Sequence, residues 1–367
     1  MTKNSACPQA PISANVLSRR SLLSGVAAAG GMAAATPFSI RRSLASSGEI
    51  NVFAWGDYIQ DNIKNAFEKQ TGIKVNLDGY DSNETMLAKI KAGGHGYDLA
   101  VPSDYAVMMM KEEGLIVPAH VNKMPNFKYV HPDHIDVYFD KGREYGAPWQ
   151  WGTTGISLNT KHYDGPKANS WALVFDPPEV LKGKINMVSE MGDVINAGLF
   201  YLGLPTCNSN KADLKKLNTL LTESKKNWAS IDYGVIEKLT SEDVYASHNW
   251  NGASMRARLQ NPEIRYVMPK EGLMAWADNV VLLRDARNVE EAKTFLNFIM
   301  HPENAAMISN FARYGNAIVG SAEYMDPEMS KAPEIIGYEG AGIPQFVPPC
   351  PQDVVAMYTK IWNNLLK

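Results

Sequence analysis

Between Ser247 and Asn279 the chain places two tryptophans, Trp250 and Trp276, with an acid, Asp278, two residues after the second. Two arginines at alternate positions, Arg256 and Arg258, lie between them. An aromatic face beside a carboxylate suits an organic cation, because the ring is a flat electron-rich wall and the acid is the counter-charge. The competing reading makes both tryptophans core residues and Asp278 a turn acid, since large aromatics are usually buried for packing. Other candidates stand at the ends of strand-like runs. Trp55, Asp57 and Tyr58 follow one run, and Ser103, Asp104 and Tyr105 follow another. Glu190 and Asp193 lie where the run GKINMVS gives way to a helix-like stretch. They either stabilise a helix N-terminus, by about 0.3–1 kcal/mol, or serve as counter-charges to a ligand ammonium.

These residues need elements to position them. EINVFA is a buried strand, and Ile59, Ile63 and Phe67 mark an amphipathic helix ending at Gly72. IKVNLDGY is a second strand, and Met86, Leu87 and Ile90 mark a helix stopped by Gly93 and Gly94. YDLAVPS is a third strand, followed by a Met-rich helix near Val107–Glu112. This β-α-β-α-β order predicts a parallel, doubly wound sheet whose ligands bind beyond the carboxyl ends of its strands. GAPWQWG, at 146–152, interrupts the pattern with Gly, Pro and two Trp, which places a domain crossover near Trp149–Thr154. Beyond it a second α/β unit is expected, with strands in GKINMVS, DVYASHNW and RYVMPK and helices in DVINAGLFYLG and DLKKLNTLLTESKKNWASI. VVLLRDAR reads as a strand, and VEEAKTFLNFIM, ENAAMISNFARYG and DVVAMYTKIWNNLLK as helices.

The chemistry that is missing narrows the function. The seven His and three Cys form no HExxH, CxxC or other metal-ligand spacing, and there is no GxSxG elbow, P-loop or GxGxxG after the first strand. A binding protein that needs no cofactor is favoured over an enzyme. The rivals are an exported hydrolase with Asp278 or Glu190 as its base, and a chemosensory adaptor on the same fold. A net charge of −3 argues against a nucleic-acid partner, and 367 residues, 45% apolar and 20% charged, suffice for two domains with cores of their own.

Residues 1–47 read as an export signal and leader to be removed. Arg19 and Arg20 form a twin-arginine pair before the run LLSGVAAAGGMAAA, and Ser43-Leu44-Ala45 offers a cleavage site. The run is too short and too rich in Gly and Ala for a stable anchor. The pattern resembles a Tat signal and implies a mature protein in the periplasm. Cys7 precedes the run, so it is no lipoprotein cysteine. Cys207 and Cys350 remain in an oxidising compartment, either joined in a disulfide or buried as free thiols.

The motifs FAWGDYI, YDSNETMLAKI, YDLAVPSDYAV, NWNG, WADN and FARYGNA together resemble those of the periplasmic spermidine/putrescine-binding proteins, the solute receptors of polyamine ABC importers. The similarity runs from about Ile50 to the final helix. It implies a type II periplasmic-binding-protein-like α/β fold, with two doubly wound lobes joined by hinge crossovers around a ligand cleft. The lobes are expected at 48–152 plus 278–318 and at 153–277 plus 319–367. The ligand set implied is Trp55, Tyr58, Ser103, Tyr105, Glu190, Asp193, Trp250, Trp276, Asp278 and Tyr314, with Glu and Asp exchanged at 190 and 193. A glutamine of the family has no secure counterpart, since Gln345 and Gln352 both sit near the divergent PPCP loop.

The implied partners are a small amine, such as putrescine or spermidine, and an ABC-transporter permease, with the receptor itself a monomer. Arg256 departs from the pattern, standing where an apolar residue is expected. Facing the cleft, it would bind a carboxylate and suit an ω-amino acid such as γ-aminobutyrate; facing outward, it is a surface residue.

Overall fold

The computed structural model describes residues 48–56, 58–59, 61–337 and 340–367. The twin-arginine stretch, the cleavage site, Cys7 and Asp57 lie outside the described residues.

The first third of the chain alternates β1 (Glu49–Trp55), α1 (Asp61–Thr71), β2 (Lys74–Tyr80), α2 (Asn83–Ala92), β3 (Leu99–Ala100) and α3 (Asp104–Glu112). Apolar spacing explains the helices. Ile63 and Phe67 form the buried face of α1, and Phe67 meets the rings of Phe295 and Phe298 edge-on at 5.1 Å each. Burial of one such side chain is worth roughly 1.5–3 kcal/mol. At α2 the Ser82 side chain caps the helix by accepting from the Thr85 N–H. A hairpin follows, β4 (Asp136–Val137) and β5 (Asp140–Lys141), and leads into β6 (Gly146–Asn159).

The second region contains α4 (Ala172–Phe175), β7 (Ile185–Met187), α5 (Met191–Tyr201), α6 (Lys211–Lys225), β8 (Ser230–Ile231), α7 (Val235–Thr240), β9 (Ala246–Trp250), α8 (Asn251–Gln260) and β10 (Ile264–Val267). The chain closes with β11 (Leu273–Leu282), α9 (Val289–Ile299), α10 (Pro302–Ala312), α11 (Pro333–Ile336), β12 (Pro344–Phe346) and α12 (Gln352–Leu366).

The main sheet runs β2-β1-β3-β11-β6-β9-β7-β8, with β10 on β6 and β12 on β11. Each end is a parallel patch, β2-β1-β3 and β8-β7-β9, as β-α-β winding requires. The middle is antiparallel, because β11 pairs with both β3 and β6, and β6 pairs with β9. The crossovers are therefore the central strands of one mixed sheet.

That differs from the break expected at GAPWQWG. β6 is unbroken for 14 residues. Its Gly152 serves close approach rather than a turn, since a Cβ there would lie 2.3 Å from Asn251 Oδ1 and 2.7 Å from the Trp276 ring. Likewise β11 starts at Leu273, earlier than the apolar run VVLL suggests, and so carries Trp276 and Asp278. The long helix expected over 213–231 stops at Lys225; Trp228 turns into the core, its Nε1 donating to Val174 O, and β8 follows.

Two hydrophobic cores flank the crossovers. One is built from Ile50 to Trp149 and Trp276 to Ile318, the other from Ile156 to Met274 and Val347 to Leu365. α12 packs Val354, Tyr358, Ile361, Trp362 and Leu365 into the second. Cys207 and Cys350 are joined in a disulfide, Cα–Cα 5.1 Å, which ties the loop after α5 to the segment before α12. Among the described residues no helix is long and apolar enough to cross a membrane.

Candidate functional site

A cavity of about 460 Å³, its open mouth included, lies where the two cores meet the crossover strands. Trp55 and Tyr58 reach it from the end of β1, and Ser103 and Tyr105 from the end of β3. Glu190 and Asp193 come from the start of α5, and Trp250 from the end of β9. Trp276 and Asp278 come from β11, and Tyr314 from the segment just after α10. Parallel strands pointing the same way deliver their ends to one place, which is why residues so far apart in sequence meet here.

The rings form a belt with edge-to-face or tilted contacts. Tyr233 meets Trp250 at 5.3 Å, Trp250 meets Trp55 at 6.4 Å, and Trp55 meets Tyr58 at 6.5 Å. The belt continues from Tyr58 to Tyr314 at 5.7 Å and from Tyr314 to Trp276 at 5.0 Å. Such geometry fixes each ring against its neighbour. The Trp55 Nε1 is spent on Val101 O at 3.0 Å, which holds that indole in place.

Three carboxylates punctuate the belt. Asp278 accepts from Tyr58 Oη at 2.5 Å and from Ser103 Oγ at 2.7 Å. It sits at a register shift between Ala277 and Asn279, where β11 pairs with β6 on either side while Asp278 itself bridges Ser103. A bulge of this kind re-aims one side chain. Glu190 is the N-cap residue of α5 yet makes no capping bond; it accepts from Tyr105 Oη at 2.7 Å and from the Asn83 N–H at 3.0 Å. Both donors belong to the opposite side of the cleft, so Glu190 is a strap across it. Asp193 accepts from Thr154 Oγ1 at 3.1 Å and Trp250 Nε1 at 3.0 Å. Glu190 thus bonds across the cavity, and Asp193 to β6 and the end of β9 on its own side, neither of them to its own helix.

Burial pushes the Asp278 carboxyl up to about 7, against the pull of the Tyr58 and Ser103 hydrogen bonds. Burial, then the charge of Glu190, raises Asp193 to about 7 as well. Burial and neighbouring acid put Glu190 well above the usual carboxylate range. Among the described residues lining the cavity there is no Lys, Arg or His. A set of buried carboxylates held only by neutral donors is a site for a cation that arrives from outside the chain.

Arg256 is not among the lining residues. Its guanidinium lies 5.0 Å over the Phe311 ring. Helix geometry accounts for this. Gly252 packs against Ala312 and Tyr314 at the end of α10, and Arg256, one turn further along α8, meets the same helix farther from the cavity. The expectation of a cleft-facing arginine is corrected accordingly. Gln345 and Gln352 are exposed and also stand outside the lining.

Three lining residues escaped the sequence reading: Asn83, Tyr233 and Met274. Asn83 follows β2, so the strand-end rule applied to Trp55 and Ser103 would have found it; Tyr233 follows β8, a strand hidden in what the sequence pattern reads as a helix. Met274 precedes Trp276 and Asp278 at alternate positions of β11 and shares their face. Asn83 also links the acids, since its Nδ2 donates to Ser103 Oγ at 3.1 Å while its backbone donates to Glu190.

Residues 62–336 match the bacterial extracellular solute-binding proteins, and the chain belongs to that family. The spermidine/putrescine-binding periplasmic protein of Escherichia coli is 31% identical over 76% of this chain and 80% of its own. The putrescine-binding periplasmic protein SpuD of Pseudomonas aeruginosa is 31% identical over 78% and 84%. The solved spermidine/putrescine ABC transporter substrate-binding protein PotD of Streptococcus pneumoniae matches with a TM-score of 0.70 at 26% identity, over 87% of this chain and 98% of that one. The fold is the two-lobed α/β fold of these binding proteins, with the cavity at the crossovers between lobes.

Proposed function

We propose that the protein is a periplasmic receptor for a putrescine- or spermidine-like amine, which it delivers to the permease of an ABC importer. The observation that carries this reading is the trio Glu190, Asp193 and Asp278, buried in an aromatic cavity without a cation from the chain. Ammonium groups at the two ends of an amine supply the missing charges. The methylenes between them pack on the rings, at about 0.8 kcal/mol for each CH₂ buried. Similarity to receptors named for spermidine and putrescine supports the ligand class and the transporter partner.

The lobes are assigned to 48–152 plus 278–318 and to 153–277 plus 319–367, an assignment supported by the two cores and their handover along β6 and β11. Closure of these lobes about the crossovers is the state a permease would read. Within the described lining no arginine or lysine awaits a carboxylate, so an ω-amino acid lacks a partner for its acid end. Calorimetry with putrescine, spermidine and γ-aminobutyrate tests the assignment. A polyamine should bind at micromolar or tighter Kd, about −8 kcal/mol or beyond, and γ-aminobutyrate far more weakly. Absence of heat with both polyamines would sink the proposal.

A further inference from the structure

On the lobe assignment proposed above, the three cavity acids differ in where their hydrogen bonds come from. Asp278 accepts from Tyr58 and Ser103, which share its lobe, and Asp193 from Thr154 and Trp250, which share the other. Glu190 stands on the side of Asp193 but accepts from Tyr105 Oη and the Asn83 N–H, 85 and 107 positions away in sequence and in the opposite lobe. It is 4% exposed, so both bonds are shielded from water.

Local geometry prepares each partner. The first N–H groups of a helix find no acceptor within it. At α2 the Ser82 side chain serves the Thr85 N–H, and the Asn83 N–H, at the first position, is left to Glu190. The carboxylate thus sits where the helix dipole is positive. Gly192 brings the first turn of α5 close to Tyr105, since a Cβ there would lie 3.9 Å from its hydroxyl and 3.7 Å from Glu190 Oε1. Burial, then the charge of Glu84, pushes the Glu190 carboxyl up, and the bonds from Tyr105 and Asn83 pull it back toward the ionised form they favour.

Resting on the amine-receptor reading, we propose that Glu190 is the closing latch of the receptor. Its carboxylate, seated on the amino end of α2 and on the Tyr105 hydroxyl, holds the lobes together over a bound amine and so sets the rate at which the amine leaves. Its charge still faces the cavity, but its bonds tie the two lobes. Opening the cleft breaks both bonds, whereas a ligand enters an open cleft before they form. The latch therefore acts on dissociation and leaves association nearly untouched. Asn83 is a positioning residue, since its N–H holds Glu190 in place.

Stopped-flow tryptophan fluorescence with putrescine separates the two rates. Asn83→Pro lacks the N–H that Asn83→Ala keeps, and both lose the side-chain bonds with Ser103. Proline suits the first position of a helix, and Ser82, at φ −155° and ψ 152°, already has the extended backbone that a following proline requires. Putrescine is expected to leave Asn83→Pro about tenfold faster than Asn83→Ala, with association rates within about threefold. Equal dissociation from the two overturns the latch, and so does a loss of affinity carried by slower association. Tyr105→Phe removes the other donor without touching α2 and is expected to speed dissociation about fivefold relative to the unsubstituted protein. An unchanged rate there overturns the latch even if Asn83→Pro fails to fold. These failures leave the receptor assignment standing. Absence of putrescine binding by the unsubstituted protein overturns that assignment and the latch with it.

Discussion

Glu334 and Asp278 are both buried, 1% and 3% exposed, yet the chain treats them in opposite ways. Glu334 receives a two-pronged fork from Arg258, with Nε–Oε1 at 2.5 Å and Nη2–Oε2 at 3.0 Å. Asp278 receives two hydroxyls and no cation. Desolvating a charge costs several kcal/mol, and a partner of opposite sign inside the fold offsets it. α8 provides that partner for Glu334, which fastens α11 to it. At Asp278, Asp193 and Glu190 the described lining provides no such partner, and on the proposed reading a ligand provides it. A structural acid is complete on its own, whereas a receptor's acids are stabilised by what they bind.

The contrast can be broken at several points. The largest effect is expected from Asp278→Asn. It strands a buried ammonium and should weaken putrescine binding by about 3–5 kcal/mol, a factor of hundreds to thousands in Kd, without lowering the melting temperature of the ligand-free protein. Unchanged affinity in calorimetry would show that Asp278 is not an anchor.

Arg258→Ala should do the reverse, leaving Glu334 buried without its cation. A loss of about 2–3 kcal/mol in denaturant unfolding is expected, at the low end because Arg258 is itself partly exposed, with putrescine Kd within about twofold. Loss of affinity without loss of stability would reverse the two roles.

A smaller effect separates the sites by pH. Asp278 and Asp193 rise from 3.8 to about 7 on folding, so between those values the folded chain holds more protons than the unfolded one. Their contribution to stability is therefore lost as pH rises through that window. The ligand-free melting temperature should fall between pH 5 and pH 8, and saturating putrescine should cancel the fall. A fall that persists with ligand bound would place its origin outside the cavity. The smallest change is expected for Arg256→Ala. Loss of its stacking on Phe311 should cost about 0.5–1 kcal/mol of stability and leave Kd unchanged. A tenfold change in Kd would return this side chain to the site.

Much of this arrangement was legible in the residues. Ile63 and Phe67 announced a helix face by spacing alone. Strand ends plus the family resemblance pointed to Trp55, Tyr58, Ser103, Tyr105, Glu190, Asp193, Trp250, Trp276, Asp278 and Tyr314, which the fold gathers around one cavity. What stayed hidden depends on neighbours distant in sequence. Gly152 looked like a strand breaker because nothing local reveals that Asn251 and Trp276 press against it. Arg256 could not be aimed from its spacing, since the rotation of α8 is set by Gly252 meeting α10.

The bond between Cys207 and Cys350 spans 143 positions and returns the chain to the second core after it has passed through the first. β11, α9 and α10 thus belong to a covalent ring, not to an open strand of polymer. A protease that cuts an exposed stretch inside that ring, such as the one carrying Tyr324, opens the ring without parting the molecule. The nicked protein would migrate as one species without reductant and as two fragments with it. For a receptor working outside the cytoplasm, a single cut would leave the C-terminal helix attached and the cavity's residues on one connected chain.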